Sequence, residues 1–427
     1  MAIESSSPTK VGFLIRIESV RGLAALCVAV MHTMGYILFT EDGFAFGPLL
    51  ELQTVRDVAI RIGSGLVNAE MAVTIFFVIS GVVIGRSLDS SRGGRQTSRE
   101  FVPFMIRRIF RLYPAHFVAI IGIVGLAELF LVGRAPLDFA AFTGTYPAQS
   151  AEAADWVNGR VFNSLTWRSI VGNLVMASWT MNLVVWSLYA EMCAAPFLPF
   201  FHQLSRKVKA WVDVATLAAL VGLSLLNWEH VWSRYLFVFY LGMIVETRGL
   251  HWARALERTL GGSGWALALC YLLMALPTIV LGQRPAPVIL VEAFGAFSVI
   301  SLIVLSETRP PFRWLEGPLL RWNGRLSYSF YLWHFFILTV VVHQLYATLS
   351  PDVAHRFDIP IFLVTAIVTI AVALGVAQLS FTHIEVPSVA LGRTLVLSWR
   401  RIAARRRSPE LSPARVASGE PTRVSIE

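Results

Sequence analysis

RIESVRGLAALCVAVMHTMG, residues 16–35, is the stretch on which the fold turns. Its apolar run 22–31 has the length of a secretory signal core, a segment that is cleaved from the mature chain. Two features speak against that. No small-x-small cleavage site follows clearly, and Arg16, Glu18 and Arg21 lie unusually close to the run. The stretch therefore reads as an uncleaved helix over 17–39. A hydrocarbon core about 30 Å thick takes roughly 20 helical residues, so this helix is long enough to cross it.

Outward from this helix, nine further stretches have the same character: 68–86, 114–133, 172–201, 211–227, 232–247, 264–282, 286–306, 326–348 and 359–382. Pro114 suits the first turn of the third. The fourth is long enough for a span with a bent or re-entrant entry. The composition agrees. Of 427 residues, 56% are hydrophobic and 15% charged, against about 25% charged in a soluble domain. The mean hydropathy is +0.63. A soluble enzyme of this length would lack a charged surface, and disorder, collagen and a disulfide scaffold are excluded by the same figures. The expectation is an all-α polytopic membrane protein of about ten spans, multi-pass in the cell (inner or plasma) membrane.

A net charge of +9 would suggest nucleic acid in a soluble chain. Here the positive-inside rule accounts for it. With the N-terminus inside, the inner segments hold 28 of the 36 Lys and Arg, and the outer ones hold 8 against 11 Asp and Glu. Both termini are expected in the cytoplasm, and no nucleic-acid partner is expected. Three parts follow: a cytoplasmic N-terminal segment 1–15, a membrane domain 16–392, and a basic, disordered cytoplasmic tail 393–427 able to lie on anionic membrane lipids. Cys27, Cys193 and Cys270 read as packed thiols, with no metal-ligand spacing.

Ionisable side chains at membrane depth are costly and stand as functional hypotheses. Arg21 and His32 are about three turns apart, so they share one face of the first helix, roughly 16 Å apart along its axis. A neutral imidazole at that depth acts as a base or as a structural hydrogen-bonder, and spacing leaves both open. Arg107, Arg108 and Arg111 cluster at i, i+3 and i+4 near the inner end of the third span. Such a cluster binds phosphate or simply anchors the helix. Glu191, well inside the fourth span, needs a partner: it could be a structural pair with a helix-end arginine, or it could orient a histidine. His334 lies about two turns into the ninth. Ser80, Asn68, Asn173, Asn182, Glu128 and Glu292 complete a polar path through the bundle.

Several of these stretches together resemble the acyltransferase-3 family of integral membrane acyltransferases. The first helix carries its Arg–ten residues–His signature, here Arg21 and His32. VTIFFVISGVVIGRSL is similar to its FFxxSGFLI stretch, with Ser80 and Gly81. FMIRRIFRLYP resembles RRxxRxxP, with Arg107, Arg108, Arg111 and Pro114. NLVVWSLYAEM resembles WSLxxE, with Trp186, Ser187 and Glu191. GRLSYSFYLWHFFI is similar to the helix-9 motif, with Arg325, Ser327, Tyr328, Tyr331 and His334. IEVP, Glu385 to Pro387, is like the ExP ending. After WSLxxE the family often has a second acidic residue and a Phe-Tyr pair, where this chain has Met192 and CAAPF.

The resemblance implies O-acyl transfer from cytoplasmic acyl-CoA, in the first place acetyl-CoA, as co-substrate and without a metal. The acceptor is a hydroxyl of a cell-envelope or exported glycan or, in one branch, of a macrolide or other small metabolite. It implies His32 as general base or transient acyl carrier, with Glu191 orienting it or balancing its charge. Arg21, Arg107, Arg108 and Arg111 would hold the phosphates, while Ser80, Tyr328 and His334 line the tunnel or meet the thioester. Nothing like the SGNH-hydrolase-like domain of the fused branch follows the bundle, so the bundle is expected to complete the transfer or hand its product on. The rival reading is a secondary transporter or flippase using the same polar path without chemistry. Its expected paired, Gly/Pro-broken short helices in two halves are not evident.

Overall fold

A computed structural model describes residues 8–38, 48–52, 54–90, 97–130, 166–207, 209–282, 286–305 and 310–405. Every regular element among the described residues is helical. In chain order they are α1 (Pro8–Ile37), α2 (Val55–Leu66), α3 (Ala69–Ser90), α4 (Thr97–Phe130), α5 (Trp167–Leu174), α6 (Val185–Ala194), α7 (Leu198–Lys207), α8 (Ala210–Leu226), α9 (Val231–Arg234), α10 (Leu236–Ile244), α11 (Leu250–Thr259), α12 (Ser263–Leu281), α13 (Val288–Leu305), α14 (Pro318–Tyr346), α15 (Pro351–Arg356), α16 (Asp358–Ser380) and α17 (Val386–Arg405).

Among the described residues, six segments are long and apolar enough to cross a membrane: Ile15–Ile37, Val55–Asp89, Phe101–Leu126, Ser263–Leu281, Pro318–Tyr346 and Asp358–Ala403. Two shorter apolar helices, Ala210–Leu226 and Val288–Val304, accompany them. The chain is an integral membrane protein. Where their residues are described, all ten stretches read from the sequence fall on helix, but two are broken. The expected span 172–201 is divided among α5, α6 and α7, with an irregular stretch between α5 and α6. The span 232–247 begins in the short α9 and ends in a π-helical turn, Val245–Gly249. The third helix does not begin at Pro114. α4 starts at Thr97 and carries both Pro103 and Pro114 inside it. A proline loses one backbone bond, and helices packed alongside allow a membrane helix to continue through that loss. The arginine cluster is therefore mid-helix.

Polar side chains cap the starts of α2 and α3. The Thr54 hydroxyl accepts from the Asp57 amide at 3.1 Å, capping α2. Asn68 does the same for α3, taking the Glu70 amide at 2.8 Å and the Met71 amide at 3.2 Å. Helix α2 itself was not expected from the sequence, because its apolar residues are interrupted by Arg56, Asp57 and Arg61.

The centre of the bundle is α14, with 89% of its most apolar window buried. It packs chiefly on α1 and α16. Two helix crossings are possible only because glycine stands there. A Cβ on Gly22 of α1 would lie 2.7 Å from the Gly324 backbone nitrogen of α14. A Cβ on Gly81 of α3 would lie 2.8 Å from the Gly242 Cα of α10. Small residues at such contacts let membrane helices approach backbone to backbone. Gly22 meets Gly324, and His32 meets His334 with the same sequence offset, 302. Helices α1 and α14 therefore run parallel and in register.

Helices α16 and α17, joined by a π-helical turn at Phe381–Glu385, form one long rod. Its candidate span of 46 residues is about 70 Å long at 1.5 Å per residue, well beyond a 30 Å core. Helix α17 packs along α4, with Gly392 against Phe110. Of the segment expected as a tail, residues 393–405 continue this helix. Residues 406–427 lie outside the described residues, as do 1–7 and most of the large outer loop. Cys270 is buried, and Cys27 and Cys193 are half-buried, all three as free thiols.

Candidate active site

The two glycine crossings hold the site's first residues. Arg21 precedes Gly22 and Ser80 precedes Gly81, so the close backbones bring both side chains to the same interior space. That space is a cavity of about 680 Å³, counting its open mouth. Arg21, Ser80, Arg108, Arg111, Glu191 and Tyr328 line it, with Phe76, Phe77, Val73 and Leu188 as an apolar wall. Five helices contribute: α1, α3, α4, α6 and α14.

Charge in the cavity is only partly balanced. Arg108 Nη2 lies 2.5 Å from Glu191 Oε1, with side chains 7% and 18% exposed. Ser80 donates to the same carboxylate oxygen at 2.9 Å. A carboxylate this deep is tolerable because it is paired and hydrogen-bonded. Glu385, delivered by the π-helical turn, accepts from the Ser329 hydroxyl at 2.9 Å and interacts electrostatically with Arg111 and Arg21. The cavity wall itself carries three guanidiniums and one carboxylate, Glu191, a cationic surplus on the wall that Glu385 and Glu18 offset from behind it through Arg21. Guanidinium groups arrayed around a cavity suit phosphate oxygens. Tyr328 donates to the Leu112 carbonyl at 2.6 Å, tying α14 to α4 where the arginines stand.

The two histidines are elsewhere on α1 and α14. His32 Nδ1 lies 3.1 Å from His334 Nε2, and the rings are nearly parallel with centroids 5.3 Å apart. His334 Nδ1 lies 2.9 Å from the Tyr331 carbonyl. A carbonyl only accepts, so His334 Nδ1 carries hydrogen. In a neutral ring Nε2 then accepts, and the hydrogen between the rings belongs to His32 Nδ1. His32 Nε2 is left with its lone pair outward. Such an arrangement is able to act as a base oriented by a second imidazole. Phe335 meets His32 edge-on at 5.1 Å, and Phe330 stacks on His334 at 5.6 Å. His32 itself is half-buried.

Of the nine residues read as site candidates, six share the cavity wall: Arg21, Ser80, Arg108, Arg111, Glu191 and Tyr328. His32 and His334 form the separate pair, and Arg107 is not on the cavity wall. The ring that meets His32 is that of His334; the Glu191 carboxylate sits on Arg108 and Ser80 instead. Tyr331 joins the two regions. Its ring lines the cavity, its carbonyl holds His334, and its hydroxyl lies 3.0 Å from Ser187 and 3.2 Å from the Val184 carbonyl it donates to. Tyr331, Ser187, Ser327 and Glu385 stood in the quoted motifs without a role of their own. Position within α14, at i+4 and i+7 from Ser327, is the one signal that could have aligned Tyr331 and His334 with it. Glu292 is fully buried in α13, and the side chain of Glu128 lies outside the described residues. Among the described residues no group of three or more His, Cys, Asp or Glu has metal-site geometry.

Residues 14–378 match the model of a family described as an acyltransferase domain, acyltransferase 3. Peptidoglycan O-acetyltransferase OatA of Listeria monocytogenes is 26% identical over 349 residues, covering 74% of this chain and 51% of that protein. Putative O-acetyltransferases of Staphylococcus aureus strains COL and MSSA476 are each 29% identical over 111 residues, 25% of this chain and 16% of theirs. The chain thus spans about half the length of the Listeria protein. No solved structure matches it.

Proposed function

The chain belongs to the acyltransferase-3 family, and from that premise we propose that it is an integral membrane O-acyltransferase. It moves an acyl group, in the first place acetyl, from cytoplasmic acyl-CoA to a hydroxyl of a cell-envelope or exported glycan. The observation that carries this reading is the oriented His32–His334 pair beside a cavity with three arginines. The printed name of the Listeria relative, a peptidoglycan O-acetyltransferase, supports a glycan hydroxyl as acceptor.

In this scheme the phosphates of the donor lie on Arg21, Arg108 and Arg111, and Glu191 holds Arg108 in position. The donor's arm runs along α1 and α14 towards the histidines. Arg21 and His32 are separated by roughly 16 Å of helix, so a long flexible donor is needed to engage both. His32 Nε2 takes the proton of the acceptor hydroxyl as its oxygen attacks the acyl carbonyl carbon. The thioester C–S bond breaks, and the proton passes to the coenzyme A thiolate. His334 holds the growing imidazolium by accepting from Nδ1. General-base catalysis of this kind contributes about 10²–10⁴-fold.

The same reading carries ten spans, cytoplasmic termini and residence in the cell membrane. Helices α1 and α14, the first and ninth spans of that scheme, must then run in the same direction. Their parallel register supports it. The test is direct. Purified protein in nanodiscs, given acetyl-CoA and a hydroxyl acceptor, releases coenzyme A and acetylated product detected by mass spectrometry. His32→Ala removes turnover while the protein stays folded, its unfolding midpoint lowered only by the lost contact with His334. Undiminished turnover in that variant would sink the assignment of His32.

A further inference from the structure

Ser327 stands mid-way along α14, one turn before Tyr331 and two before His334. It is 1% exposed, and its hydroxyl makes no hydrogen bond with any described residue. That is unusual for a helical hydroxyl, which ordinarily bonds the carbonyl one turn back. Elsewhere in this chain the habit is kept at some positions and not at others. Thr33 donates to Ala29 at 2.9 Å, Thr74 to Glu70 at 2.9 Å, Ser298 to Phe294 at 2.8 Å and Thr339 to Phe335 at 3.0 Å. Ser301, Thr369 and Ser380 are also buried helical hydroxyls without a hydrogen-bond partner among the described residues, but none of the three lines the cavity. Ser327 leaves the Asn323 carbonyl alone although the helix is regular there. Instead the residue lines the cavity that holds Arg21, Arg108 and Arg111. A buried hydroxyl left unpaired is costly, and on the wall of a cavity a bound ligand can supply the partner.

No described acceptor is bonded to that hydrogen. Guanidinium groups only donate. The Glu191 carboxylate already serves Arg108 and Ser80, and Glu385 serves Ser329. A ligand that brings acceptor oxygens of its own would satisfy Ser327, and the three arginines favour an anionic one. We propose that Ser327 is a further donor-binding residue: its hydroxyl gives a hydrogen bond to a phosphate oxygen of the acyl donor held by Arg21, Arg108 and Arg111. This rests on the acyl-CoA reading above. It adds a neutral, directional contact to a site otherwise made of charges, and it sets the depth at which the phosphates stop along α14.

The experiment is calorimetric titration of the full chain in nanodiscs with coenzyme A and, separately, with pantetheine, which has the same arm but no phosphate. Wild type binds coenzyme A. Ser327→Ala binds it about tenfold more weakly, the loss of one hydrogen bond to a charged group. Ser327→Cys, a weaker donor of similar size, falls between. Pantetheine binds wild type and Ser327→Ala equally. The unfolding midpoint of Ser327→Ala is at least that of wild type, since no bond within the protein is lost. Equal affinity of wild type and Ser327→Ala for coenzyme A overturns the proposal. So does an equal loss with pantetheine, which would assign Ser327 to the arm, or a marked fall in unfolding temperature, which would reveal a structural bond. If wild type binds no coenzyme A, the donor reading fails and Ser327 falls with it.

Discussion

A single hydrogen decides what His32 can do. Its Nδ1 hydrogen points at His334 because His334 has already given its own to the Tyr331 carbonyl. His334 is on this account a positioning residue that never touches the acceptor. His334→Ala should lower kcat about 100-fold while leaving KM for acetyl-CoA close to wild type, because the arginine cavity is intact. His334→Gln, whose amide oxygen still accepts from Nδ1, should recover part of the loss. Steady-state kinetics on both variants check this, and a rise in KM with unchanged kcat would assign His334 to donor binding instead. The sequence marks both histidines as deep and polar. It does not pair them, since 302 residues separate them. Glu191 was legible in the same partial way: a carboxylate needing a partner. Its partners, Arg108 and Ser80, are fixed by the meeting of three helices.

At the scale of elements, glycine governs the approach of helices that carry the chemistry. Gly324 lies against the α1 backbone at Glu18 and Ser19, and a Cβ there would be 2.9 Å from the Ser19 nitrogen. Backbone cannot rotate aside as a side chain can. Gly324→Ala should therefore separate α1 from α14, lower stability by about 2 kcal/mol and reduce turnover by spreading the histidines. Thermal unfolding and turnover of that variant check it together; wild-type values in both would mean that the helices can slide without harm. Gly125, with open space around the same construction, provides the control substitution. Helix α4 holds a second lesson. Pro114 reads as a helix start because a first turn tolerates proline best, yet the helix begins at Thr97. Neighbouring α14 and α17 pack on α4 and supply what local propensity withholds.

For the whole molecule, the basic residues and the helix directions bear on one orientation. In the ten-span scheme the turn after α11 is cytoplasmic and the turn before α15 is external. Single cysteines at Arg258 and Ser350, introduced after replacing Cys27, Cys193 and Cys270, test it. A membrane-impermeant maleimide should label Ser350→Cys in intact cells and Arg258→Cys only after lysis. The reverse pattern would invert the protein and with it the cytoplasmic entry of the donor.

The sequence by itself determined the class of molecule and most of the helical stretches. These are matters of local composition, because about 20 apolar residues are needed to cross a bilayer wherever they occur. Spacing along one helix also aligned Arg21 with His32, since helical periodicity is local. Only the tertiary structure decided that six candidates share a cavity, that Arg107 does not, that His32 rests on His334 rather than Glu191, and that Ser327 has turned from its own helix. Each is a contact between segments far apart in the chain. Such contacts depend on where glycine lets two backbones meet and on which buried polar group finds a partner, and neither is written in the residues on one side alone.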